Sequence, residues 1–202
     1  LGAIASPVRW SQASLPRALT TEEVQRLEAH CAQTKRAPLR LLAMVRLALD
    51  LGLRVGEIAK LEIGDFDWRA GTVTLKRTKS QRQDVLPLPV LTGQALAEYM
   101  RHERPATTLP SLFVRRLAPH DKPIGVDGVS HAIGRALRSA GISRSCHSLR
   151  HTLACRLVNS GSSIKEVADV LRHRSLDTSL IYAKLDLQLL AEVALPWPGS
   201  AS

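Results

Sequence analysis

The densest apolar stretch of the chain, LRLLAMVRLALDLGL, is broken only by Arg40, Arg46 and Asp50. That pattern predicts a core helix with one wet edge, running from about Pro38 to Leu51 and stopping at Gly52. Upstream, TTEEVQRLEAH reads as a helix that Thr20 caps, with Glu23 completing a capping box. Downstream, VGEIAKL forms a short helix after Arg54. The pattern then changes to two β-type runs, around Thr72–Lys76 and Asp84–Leu88, separated by a polar, basic tip, which predicts a hairpin. Helix resumes near TGQALAEYMRHE, and a Pro-rich connection, RPATTLPSLFVRRLAPHDKPIG, follows. From Val126 onward nearly everything reads helical. No internal repeat or low-complexity tract interrupts this order. The outline is an α+β domain, mainly α-helical, with a small antiparallel sheet near residues 65–90.

A length of 202 residues suits one domain plus a short linker. Residues 1–18 mix Ser, Pro, Ala and Arg without periodicity and read as an interdomain arm leading into a domain over 19–202. No signal peptide is visible; the chain starts with Leu1 and its first residues look like a linker, so a piece of a longer protein is expected. Aromatics make up only 3%, which leaves the core to Leu, Val, Ala and Ile. No run approaches the length of a membrane span. The net charge of +10 favours a polyanionic partner such as nucleic acid. A membrane surface is the weaker option, because no basic amphipathic helix with bulky aromatics is present. Cys31, Cys146 and Cys155 lack CxxC spacing and fit reduced thiols of an intracellular protein.

The segment HSLRHT concentrates candidate chemistry. His147, Arg150 and His151 lie at i, i+3 and i+4, so a helix puts all three on one face. From Arg135 to Lys184 there are nine Lys or Arg against Glu166, Asp169 and Asp177, an imbalance that points to a docked anion. His147 and His151 have the spacing of zinc ligands, but a metalloprotease helix needs Glu where Ser148 stands, and Arg150 repels a cation. No metal is expected. Tyr182 alone would read as a partly buried helix residue between Ile181 and Ala183. A phenol, with a pKa of about 10, becomes a useful nucleophile only beside cations and a hydrogen-bond acceptor.

HSLRHT followed by VLRHRSLDTSLIYAK, with His173 and Tyr182 nine apart, resembles the C-terminal signature of tyrosine site-specific recombinases, the phage integrase family. LDLGLRVGEIAKLEIGDFDW is similar to that family's first arginine box, with Arg54 in the catalytic position and Glu57 beside it. KRTKSQRQDVLPLP resembles the hairpin that carries the family's catalytic lysine; registering VLPL places that lysine at Lys79, with Lys76 the competing choice. The resemblance covers roughly residues 19–190. It departs where Arg172 and Arg174 flank His173, positions at which the family often has Gly and Ser. The family's separate N-terminal DNA-clamping domain has no counterpart in the chain.

The resemblance implies the catalytic domain of a DNA breaking-rejoining enzyme. Tyr182 would attack a phosphodiester of double-stranded DNA, giving a 3′-phosphotyrosyl link and a free 5′-hydroxyl, and a second 5′-hydroxyl would rejoin the strand. Because the covalent intermediate conserves the bond energy, no ATP is needed, and no metal or other cofactor is expected because the arginines do the electrostatic work a divalent ion might do. Arg54 and Arg150 would hold the non-bridging oxygens, since the guanidinium fork pairs with phosphate and stays charged. Lys79 is the expected general acid for the leaving oxygen, His147 assists proton movement at Tyr182, and His173 donates to a phosphate oxygen. Glu57 would orient the catalytic cations, and His151 would support the helix. Arg77, Arg82, Arg172 and Arg174 are the expected DNA contacts. By the same analogy the expected working form is a tetramer on DNA, in the cytoplasm at the nucleoid, with a monomer the alternative for the isolated domain; DLQLLAEVALPWP reads either as a helix handed to a neighbour or as one closing its own core. The alternatives are a catalytically silent DNA-binding protein of the same fold and DNA relaxation of the type IB topoisomerase kind.

Overall fold

Helix α2 (Pro38–Asp50) is apolar on nearly every side, and the rest of the domain is arranged to cover it. Its buried residues include Ala43, Met44, Val45, Leu47, Ala48 and Leu49, so a single stripe cannot satisfy it and several partners must pack around it. The structure is a computed structural model that describes residues 18–76, 83–116 and 122–172. Lys79, Arg77, Arg82, His173, Arg174, Tyr182, most of the N-terminal arm and the C-terminal exchange helix lie outside the described residues.

The elements follow the order α1 (Thr21–Gln33), α2, α3 (Val55–Lys60), β1 (Phe66–Asp67), β2 (Thr72–Lys76), β3 (Gln83–Pro87), α4 (Val90–His102), α5 (Val126–Ser139), α6 (His147–Asn159) and α7 (Ile164–Val170). Helices α1, α4, α5 and α6 all pack on α2. The wet edge of α2 is tied down by polar contacts. Arg46 pairs with Glu28 of α1 at 3.0 Å, Asp50 accepts from Thr92 of α4 at 2.7 Å, and Arg40 donates to the Val114 carbonyl at 3.1 Å. Tyr99 and Phe113, with ring centroids 5.2 Å apart, and Phe66 supply the aromatic part of a mainly aliphatic core.

Helix α1 begins with the capping box expected of Thr20 and Glu23. The three strands form an antiparallel sheet in the order β1-β2-β3. Strand β2 pairs with β3 in the register Thr72↔Pro87 to Lys76↔Gln83, which places the second strand one residue earlier than its hydrophobic pattern indicated. Strand β1 was not anticipated; it pairs Phe66↔Val73 and Asp67↔Thr72 after a 3₁₀ turn over Ile63–Asp65. Among the described residues, no helix is long and apolar enough to cross a membrane.

A smaller apolar cluster, Ala154, Val158, Val167 and Leu171, joins α6 to α7. It meets α2 at Gly52, whose φ of +61° turns the chain from α2 toward α3. A methyl group there would lie 2.9 Å from a terminal carbon of Leu171 and 3.0 Å from one of Leu153. Gly52→Ala therefore combines a left-handed backbone with overpacking, and it is expected to lower stability by about 2–4 kcal/mol in denaturant unfolding. A loss below about 0.5 kcal/mol would mean that this turn is not tightly packed.

Candidate active site

Helix α3 is only six residues long, and its start is fixed by its own third residue. The carboxylate of Glu57 accepts the backbone N–H of Arg54 at 2.8 Å, closing the first turn. Arg54 thus stands at the mouth of the helix with its side chain 42% exposed. Its guanidinium is steadied by the same carboxylate, Nη1 lying 3.1 Å from Oε1 of Glu57. A solvent-facing arginine braced on one side keeps most of its donors for a ligand.

Arg150 is placed differently. It lies on the buried side of α6, and its two terminal nitrogens donate to the carbonyls of Gly52 and Leu171. One guanidinium therefore ties the turn after α2 to the end of α7. Thr152 extends the anchoring, since its hydroxyl accepts the Leu19 N–H at 2.8 Å and donates to the Ser148 carbonyl at 2.8 Å. The start of the described chain is thereby fastened to the helix that carries His147 and Arg150.

Arg54, Glu57 and His147, remote in sequence, line one cleft of about 1020 Å³ together with Lys60, Lys76, Asp84 and Arg172. Arg150 sits beneath it, close enough that its charge acts on Glu57. Burial pushes the Glu57 carboxyl up, but the charge of Arg172, the Arg54 backbone N–H and the charges of Arg54 and Arg150 outweigh it. Glu57 consequently titrates below the usual carboxylate range and is an anion at neutral pH. His151, on the same helix, is half-buried. Burial first, then the charges of His147 and Arg150, push its imidazole down.

Two basic residues stand apart from their expected roles. Lys76, at the end of β2, is held by Glu62 at 2.8 Å and Asp65 at 2.9 Å. Those two carboxylates raise its pKa well above the usual lysine value. Arg172, expected to contact DNA, is buried, with a side chain only 4% exposed and Nη2 2.9 Å from Oε2 of Glu57. Burial pulls its guanidinium down and Glu57 pulls it up. It stays cationic, as arginine does. The Glu62–Asp65–Lys76 cluster was not foreseen, because the partners come from a 3₁₀ turn and a strand brought together by strand pairing.

The sequence matches the phage integrase family over residues 17–188. It is 38% identical to the integrase/recombinase y4rA of Sinorhizobium fredii over 95% of the chain and 47% of that relative. It is 30% identical to the tyrosine recombinase XerA of Pyrococcus furiosus over 89% of the chain and 61% of the relative. The chain thus spans about half the length of the first of these relatives. In fold it is similar to a crystal structure of XerA recombinase, with a TM-score of 0.75 and 23% identity over 91% of the chain and 68% of XerA. It is also similar to XerH site-specific recombinase bound to palindromic difH substrate in a post-cleavage complex, with a TM-score of 0.74 and 24% identity over 89% of the chain and 52% of XerH.

The depressed His151 has a consequence for stability. The unfolded imidazole binds its proton more tightly than the folded one, so the unfolded chain gains more from acid. The contribution is whole above the unfolded value of about 6.5 and is lost as pH falls below it toward the lowered folded value. His151→Gln should therefore lose less stability than the parent between about pH 7.5 and 5.5, measured by denaturant midpoints. Equal losses would place the acid sensitivity elsewhere.

Proposed function

Because the chain belongs to the phage integrase family, we propose that it cuts and rejoins double-stranded DNA site-specifically through a 3′-phosphotyrosyl intermediate at Tyr182. The observation that carries the reading is the cleft itself. Arg54 from the start of α3 and His147 from the start of α6 line one space, and the buried Arg150 lies close enough for its charge to act on Glu57 in the same wall. An in-line displacement at phosphorus loads charge onto the non-bridging oxygens. Arg54 can meet that charge with a forked donor, and Arg150 with the N–H groups that its bonds to the Gly52 and Leu171 carbonyls leave over; preorganised donors of this kind are typically worth about a hundred- to a thousandfold each. Each guanidinium is already oriented by the fold, so little reorganisation accompanies the reaction.

Glu57 orients the cations from behind the phosphate, as its bonds to Arg54 and Arg172 support. His147 moves the proton at Tyr182, and His173 donates to a phosphate oxygen. The leaving 5′-oxygen takes its proton from the hairpin lysine, and the surroundings of Lys76 speak for Lys79 in that role. An ammonium clasped by Glu62 and Asp65 gives up its proton less readily and is already spoken for. Arg77, Arg82 and Arg174 contact DNA. The +10 charge draws the duplex in, at a rate and affinity that fall with salt. Residues 19–202 form the catalytic domain and residues 1–18 the linker into it. The working assembly is a tetramer on two DNA sites at the nucleoid, joined by exchange of the C-terminal helix, and the chemistry uses no metal and no ATP.

Covalent trapping tests the proposal. The chain is incubated with nicked duplexes bearing the ends of the DNA element that carries its gene, and denaturant-resistant adducts are mapped by mass spectrometry. An adduct at Tyr182, lost in Tyr182→Phe, is expected. Arg150→Lys should cut its yield by about a hundredfold or more, since charge survives but the fork does not. DNA binding without any adduct would turn the reading to a silent DNA-binding protein, and near-normal cleavage by Arg150→Lys would remove that residue from the phosphate.

A further inference from the structure

Helices α2, α5 and α6 each give way to a glycine with positive φ: Gly52 at +61°, Gly141 at +72° and Gly161 at +90°. Helix α7 ends in the same left-handed conformation, but the residue is Arg172, at φ +54°. A side chain at such a position costs stability relative to glycine. Its side chain is then buried as a charge, which costs more unless it is paired. Two unfavourable choices at one residue call for a compensating contact, and the structure supplies it.

The Arg172 guanidinium is engaged on three sides. Nη2 donates to Oε2 of Glu57 at 2.9 Å, Nη1 donates to the Val170 carbonyl at 3.3 Å, and Nε lies 4.0 Å from Oδ2 of Asp84 on β3. Glu57 uses that same Oε2 to accept the Arg54 backbone N–H at 2.8 Å, and its Oε1 to accept Arg54 Nη1 at 3.1 Å. One carboxylate therefore stands between two arginines. Arg54, 42% exposed, faces the cleft, and Arg172, 4% exposed, closes the arrangement from inside.

We propose that Arg172 is a positioning residue for DNA cleavage, locking Glu57 so that Arg54 is held toward the scissile phosphate, and tying the end of α7 to strand β3. The inference rests on the recombinase reading of the cleft. It removes Arg172 from the DNA contacts. With its charge already met by the carboxylates of Glu57 and Asp84 and its side chain only 4% exposed, Arg172 is held within the wall and not presented to a backbone phosphate. Without Arg172, Glu57 keeps only its bonds to Arg54 and loses the cation that fixes its Oε2 from the far side, so carboxylate and Arg54 side chain can shift together. The same ion pair spans 115 residues of sequence, so it also fixes the segment just before His173 against the first arginine box.

Arg172→Gly is the informative variant, because glycine suits the left-handed backbone and keeps the fold while deleting the side chain. Cleavage of nicked duplexes should fall on the order of ten- to a hundredfold, the scale of a misplaced catalytic group. The salt dependence of DNA affinity should keep its slope, whereas loss of a true phosphate contact lowers the slope by about one. Arg172→Lys should recover part of the cleavage rate by restoring a cation beside Glu57. Arg172→Gly on top of Glu57→Gln should add little to the loss from Glu57→Gln alone, because both break one link. A slope lowered by about one, unchanged cleavage in Arg172→Gly, or losses that multiply in the double variant would each overturn the assignment. A parent chain that forms no adduct would remove the recombinase reading, and this inference with it; a parent that cleaves alongside an equally active Arg172→Gly would remove the inference alone.

Discussion

A buried guanidinium holds the architecture together. Arg150 enters the junction between the main core and the α6–α7 cluster and spends two of its donors on the carbonyls of Gly52 and Leu171. Those carbonyls end α2 and follow α7, and neither has a helical N–H left to accept from. Apolar packing alone would leave them unsatisfied and would let the two clusters slide. With Arg150 in place, the turn that presents Arg54 and the turn that leads to Arg172 are fixed to one helix. A residue that binds phosphate in the proposed chemistry is thus also the reason the site has a defined shape. An arginine can do both because its five donors point in different directions within one plane.

Charge acts on two length scales. Over the whole chain the excess is positive and suits attraction to a polyanion. Within the cleft nearly as many acids as bases line the wall, and the acids are paired with particular cations: Glu57 with both Arg54 and Arg172, and Glu62 and Asp65 together with Lys76. Such pairs at a partly exposed wall add little to stability. Their value lies in orientation, since a cation already facing a carboxylate has fewer rotamers to lose when a phosphate arrives. The distribution separates cations that steer from cations that are held.

What could be read from the sequence depended on how local the cause was. The capping box of Thr20 and Glu23 and the run of apolar residues in α2 act within a few positions, and both elements formed as expected. The motifs that carry Arg54, Glu57, His147 and Arg150 keep a fixed order and spacing; the fold brings the first three to one cleft and buries Arg150 between the Gly52 and Leu171 carbonyls. Strand β1 was not legible: two residues carry no period, and only pairing with Val73 and Thr72 makes them a strand. Arg172 was read as a DNA contact because it and Arg174 add positive charge on either side of His173. Its partner lies 115 positions away, and no local pattern announces that ion pair. The one available hint was positional, an arginine where a short helix ends. Lys76 repeats the lesson, since its carboxylates arrive through strand pairing.

The claim underlying all of this is that fold-fixed arginines form the seat of a DNA phosphate. The most direct measurement is a structure of the chain, as Tyr182→Phe, bound to a nicked duplex. The account predicts the scissile phosphate with its non-bridging oxygens about 3 Å from nitrogens of both Arg54 and Arg150, while Glu57 still bridges Arg54 and Arg172. A phosphate seated away from Arg54, with Arg172 swung out to grip the backbone instead, would contradict it.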